Sequence, residues 1–128
     1  MSRTKVKNSV LGPEFFGTVV ALTPAATINV DFDSASTFTV TPSDNTTTFN
    51  IQNAEAGMVK NIVLTGDGTA RTLAFTANGG SPGGTFNKIG ATLMDETASG
   101  KSMLQIVCVN ATAGSQEFWY SISKPQTV

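Results

Sequence analysis

The chain contains no histidine. That removes the commonest general base and the commonest metal ligand, and any Ser-His-Asp triad with them. It contains one cysteine, Cys108, so no disulfide can form within the chain. The surrounding LQIVCVN predicts a buried thiol that packs as a small hydrophobe, because a reactive thiol needs a basic, partly exposed setting. Charge is scarce: Asp, Glu, Lys and Arg make up 13% of the residues, against about 25% in typical soluble domains. The net charge is −1, which provides no bulk attraction to nucleic acid or to an anionic membrane. No run approaches the ~20 apolar residues of a membrane-spanning helix, and the start has no apolar stretch of signal-peptide length. These absences point to a non-enzymatic chain with no cofactor and no metal, which neither enters membranes nor binds nucleic acid.

What is present is a β-protein vocabulary. Threonine is the commonest residue, Val, Ile and Phe are frequent, and 12 glycines supply turns in a chain of 128 residues. That length suits about one domain with a modest core. Residues 1–14 stand apart, with Arg3, Lys5 and Lys7 alternating with Thr4, Val6 and Asn8 before Gly12-Pro13. They read as a basic N-terminal arm, and 15–128 as a β-sandwich domain. The three basic side chains are the candidate anchor to a partner.

From Phe15 onward short alternating runs are separated by turns. The segments 16–22, 27–32, 37–41, 47–53, 58–65, 71–77, 102–110 and 117–124 give about eight short strands. In TINVDF the inward set is Ile28, Val30 and Phe32; in FWYSI it is Phe118, Tyr120 and Ile122, with Trp119 on the other side. MVKNIVLT alternates less cleanly, which allows both its faces to be covered, and SMLQIVCVN is nearly continuous in apolar residues and reads as a central strand. A short helix is tempting only in ATLMDETASGKSML, where Gly100 would end it. The expected fold is all-β: an antiparallel, jelly-roll-like β-sandwich with an extended arm.

Two glycine-rich stretches raise the question of a phosphate site. Gly66, Gly68 and the later Gly79-Gly80 are followed by no Lys-Ser/Thr pair and no helix pattern, as a phosphate loop requires. Gly100-Lys101-Ser102 carries the right ending, but Asp95 stands where the upstream glycine belongs. Asp67-Gly68 is therefore expected to turn a hairpin, and 78–84 to form a surface loop. The acid pairs Asp31/Asp33 and Asp95/Glu96 are read as solvated surface groups: acids this sparse offer few candidates for a glycosidase pair, and no EF-hand spacing supports a calcium site. The adjacent Trp119 and Tyr120 are the candidate glycan or interface contact.

Taken together, FNIQNAEAG (49–57), IVLTGDGTARTLAF (62–75), GGSPGG (79–84), SMLQIVCVN (102–110) and FWY (118–120) resemble a β-rich module of bacteriophage fibre and appendage proteins. The likeness runs from about Thr37 to Ser123. It implies a structural virion protein, a capsid decoration or head-fibre subunit on the virion surface, made in the host bacterial cytoplasm. It also implies a homotrimer that contacts the major capsid or other virion proteins through the arm. A tail-fibre or surface module that binds a host glycan or receptor is the alternative.

Overall fold

The computed structural model describes residues 18–77 and 83–126. The candidate anchor Arg3, Lys5 and Lys7, the arm 1–14 and most of the loop 78–84 lie outside them. The described residues form nine strands and no helix: β1 Val19–Ala21, β2 Thr27–Asp31, β3 Thr37–Val40, β4 Thr46–Gln52, β5 Val59–Thr65, β6 Thr72–Ala77, β7 Thr85–Ile89, β8 Lys101–Asn110 and β9 Glu117–Ser123. The expected eight are all present, and the addition is β7. Its sequence, TFNKI, carries three polar residues in five and sits between glycines, which hides a short edge strand.

The strands form two sheets, a six-stranded one ordered β1-β3-β5-β8-β9-β7 and a three-stranded one ordered β2-β4-β6. Through β6 the chain alternates between the sheets at every strand, with corners of only five or six residues. This winding stacks successive turns of chain in the same direction. The pairs β1/β3, β3/β5, β2/β4 and β4/β6 are therefore parallel, as is β7/β9. Only β5/β8 and β8/β9 are antiparallel. The expectation of an antiparallel sandwich is thus corrected to mixed sheets, and the antiparallel Greek keys that define a jelly roll are not the pairing seen here. The physical reason is that a strand leaving for the opposite sheet cannot fold back onto its sequence neighbour.

Asp67-Gly68 shows the same correction locally. Gly68 has φ +88°, as a turn glycine should. Yet the flanking strands β5 and β6 lie in different sheets, so the turn is a corner and not a hairpin. It is held by the loop that precedes β8: the Gly68 N–H donates to the Glu96 carbonyl at 2.9 Å, and the Gly66 N–H to the Gly100 carbonyl at 2.8 Å. That loop, 91–100, is the stretch where a helix was tempting. It is irregular instead, and it drops Met94 into the core.

The sheets share one core. Its inward rows follow the period-two expectation: Phe38 beside Ile62, Leu104 and Ile122 in the larger sheet, Phe49 beside Ile28 and Phe75 in the smaller. Phe32, Phe38, Phe49, Phe118, Ile62, Leu104 and Cys108 are fully buried. A run of aromatic rings crosses between the sheets. Phe49 stacks on Phe75 at 5.8 Å, Phe75 on Phe86 at 5.4 Å, and Phe86 on Phe118 at 4.7 Å. Each such contact adds roughly 0.5–1.5 kcal/mol beyond the burial of the rings. β5 alternates cleanly after all. Its irregular look in sequence comes from Lys60, which takes an inward position at 3% exposure with its ammonium 6.0 Å from the Phe32 ring centroid.

Candidate functional site

The outer faces of the two sheets differ in chemistry. The three-stranded sheet presents Thr27, Asn29, Thr48, Asn50, Thr72 and Thr76, and the Asn50 amide donates to Asn29 across the β2/β4 pair at 2.9 Å. That face is polar, and within it Asn50 is buried. The six-stranded sheet presents three rows defined by its register. The first runs Ala21, Thr39, Val63, Met103, Ser123. The second runs Val19, Thr37, Asn61, Gln105, Ser121, Ile89. The third runs Val59, Val107, Trp119, Asn87. These rows carry no charge at all. Val59, Met103, Val109 and Trp119 are all exposed, at 46%, 43%, 47% and 39%.

This explains the look of β8. Its near-continuous apolar run predicts cover on both faces, as in a buried strand. In the folded chain one face, Leu104, Ile106 and Cys108, is buried, while Met103, Gln105 and Val109 on the other stay open. The sequence is that of a strand with two covered faces, and the described residues cover one. Two charges sit at opposite ends of the open face. Lys101 donates to the Thr65 hydroxyl at 2.7 Å. Glu117 accepts from Trp119 Nε1 at 2.9 Å and from the Asn87 amide at 3.2 Å. Among the described residues both charges have only these neutral partners.

Trp119 and Tyr120 do not form one contact. Consecutive residues of a strand point to opposite faces, so Trp119 lies on the open face while Tyr120 turns inward. Tyr120 meets Phe75 of the other sheet at 4.5 Å between ring centroids. Burial pushes its phenol above the ordinary value of 10.0. The two rings floor a cleft of about 310 Å³ at the open side between β6 and β7, which Leu73, Met94 and Ile122 also line. Arg71, Lys88 and Glu96 supply its charged groups. Arg71 is engaged with Asp67 in an ion pair of 2.6 Å. Lys88, an inward-pointing charge on an edge strand, also guards that edge against pairing with another sheet. Sequence reading missed Phe75, Lys88 and the loop 91–100 as neighbours of Tyr120, because only the crossing of the chain between sheets brings them together.

The other groups singled out in sequence are structural here. Asp31 accepts from the Asp33 N–H at 2.9 Å and from the Asn53 amide at 2.8 Å, closing the corner after β2. Asp95 accepts from the N–H and hydroxyl of Thr97, at 3.0 and 2.7 Å, shaping the loop before β8. Cys108 is buried and free, and burial raises its thiol above the ordinary range. Among the described residues no group of three or more His, Cys, Asp or Glu side chains gathers to hold a metal ion. No helix among them is long and apolar enough to cross a membrane. None of the protein families, curated proteins or solved structures compared with this chain matches it.

Proposed function

We propose that the chain is a structural subunit of a bacteriophage particle, a capsid decoration or head-fibre protein. On this reading residues 1–14 attach it to the shell, and it meets copies of itself in a symmetric oligomer. The observation that carries the reading is the uncharged outer face of the six-stranded sheet, with apolar side chains in every row. Such a face on a chain this poor in charge is suited to burial against other subunits. The resemblance to fibre and appendage modules supplies the phage setting. The basic arm supplies a segment able to order on a shell protein. No catalytic step belongs to this reading.

The test is retention on purified phage particles, read by antibody labelling or mass spectrometry. Deleting residues 2–12 is expected to remove the protein from particles while its circular dichroism spectrum stays unchanged. Full retention of the shortened protein would overturn the role of the arm, and absence of the intact protein from particles would overturn the reading.

A second reading, a tail-fibre or surface module that holds a host glycan or receptor, is favoured by the cleft. An aromatic floor beside a lysine that has no partner among the described residues is suited to a sugar ring carrying an acidic group. A glycan array in which binding disappears with Lys88→Ala and with Tyr120→Ala, the fold remaining intact, would support it. An array with no binding would remove it.

A further inference from the structure

We infer that two copies of the chain pair face to face through the outer surface of the six-stranded sheet, with their strands running antiparallel across the interface. The inference rests on the subunit reading and names its surface and symmetry, a two-fold pair in place of the homotrimer that the resemblance implies. Three features of the face select this arrangement.

The first is charge. Lys101 and Glu117 lie at opposite ends of adjacent strands, with Glu117 in register with Asn110 at the far end of β8. A two-fold axis lying in the face, across the strands and along the row of Asn61, Gln105 and Ser121, exchanges the two ends. It seats Lys101 of one copy over the Asn110 end of its partner's β8, offset sideways by one strand spacing, about 4.8 Å, from the strand that carries the partner's Glu117, within reach of a lysine side chain across the gap. Each unneutralised charge then faces its opposite, twice per pair. A three-fold axis along the strands would instead gather Lys101 with Lys101 and Glu117 with Glu117.

The second is shape. The same axis exchanges the first and third rows. Met103 then faces Val107, Val63 faces Val59, and the large Trp119 faces the small Ser123. Large groups meet small or medium ones, as interdigitated sheets about 10 Å apart require. On the axis itself Gln105 and Asn61, already joined at 3.2 Å, meet their own copies, and amides both donate and accept.

The third is extent. Six strands at about 4.8 Å and about five residues at about 3.3 Å give a face on the order of 500 Å² in projection. Two such faces bury on the order of 1,000 Å², the lower bound for a specific interface. The pair is therefore expected to form at micromolar concentration and to be held mainly by its apolar rows.

The experiment is the mass of the full chain in solution by light scattering or sedimentation equilibrium. A dimer is expected. Gln105→Arg and Gln105→Glu each place like charges on the axis, and each is expected to weaken pairing about 100-fold or more and yield folded monomer. Mixing the two variants is expected to restore a dimer containing one copy of each, a rescue that a mere loss of folding or solubility cannot give. A wild-type monomer at 100-fold higher concentration, a trimer, or a dimer indifferent to both variants would overturn the pairing. Particle retention is measured separately, so a monomer that still binds particles sinks the pairing alone, and a dimer absent from particles sinks the virion reading alone.

Discussion

Phe75 and Tyr120 face each other with ring centroids 4.5 Å apart, although they belong to different sheets and are separated by 45 positions in the chain. Phe75 also stacks on Phe49 within its own sheet and on Phe86 of the other. One ring thus joins the two layers where the cleft opens. Phe75→Ala is expected to cost about 3 kcal/mol, the low end for removal of a core phenylalanine, because the cleft side of the ring is already partly open. Urea unfolding monitored by Trp119 fluorescence checks this, with a lower midpoint at unchanged slope as the expected result.

Thr47 points into the core between the sheets and is fully buried. Its hydroxyl has no hydrogen-bond partner among the described residues. A buried hydroxyl left unpaired costs about 1–3 kcal/mol. Thr47→Val keeps the branched shape and removes the unpaired oxygen. It is expected to stabilise the protein by about 1 kcal/mol, read as a rise in thermal midpoint of roughly 3–5 °C at this size. A lower midpoint would mean that the oxygen does find a partner.

Gly66 is buried at the corner after β5. A Cβ there would run into the carbonyl oxygens of Asp95 and Thr97. These are backbone atoms of the loop that closes over the corner, so they can yield only by moving the loop. Gly66→Ala is expected to destabilise by about 1–3 kcal/mol, the cost of overpacking. Thr97→Ala, which leaves both carbonyls in place, is expected not to relieve it. A double-mutant cycle with coupling near zero between the two checks that backbone crowding is the cause.

Two carboxylates tie stability to acid. The Arg71 guanidinium holds Asp67 below its ordinary value of 3.8, and the Thr97 hydroxyl and N–H do the same for Asp95. Both folded-state values are lowered. Their contribution is therefore complete above the unfolded value and is lost as pH falls through the lowered folded ones. The unfolding midpoint is expected to be level near neutrality and to drop below about pH 4. The difference between the wild type and Asp95→Ala is expected to shrink over the same range. The Asp67–Arg71 part is expected to weaken with added salt, since both groups reach solvent.

Much of this was legible in the sequence. Alternation placed Ile28, Val30, Phe32, Phe118 and Ile122 in the core, and all are buried. It also placed Trp119 and Tyr120 on opposite faces, and the apolar surroundings of Cys108 placed that thiol in the interior. Where local pattern was weak, reading failed for identifiable reasons. β7 was missed because polar Asn87 and Lys88 interrupt a five-residue strand, and β5 looked irregular because Lys60 occupies an inward position.

By itself, then, the sequence determined which residues lie in eight of the nine strands and, where those strands alternate, which side faces inward. Side chains alternate with a period of two whatever the strand pairs with, so this information is local. The tertiary structure alone decided the pairing. Period two is the same for parallel and antiparallel neighbours, and a corner of five or six residues can lead back along a sheet or across to the opposite one. Because the chain crosses at each corner through β6, its ladders there are parallel, and Asp67-Gly68 turns a corner where the dipeptide reads as a hairpin. The late strands β8 and β9 complete the larger sheet, and only their register aligns Met103, Val63, Val107 and Trp119 into an uncharged face with Lys101 and Glu117 at its two ends.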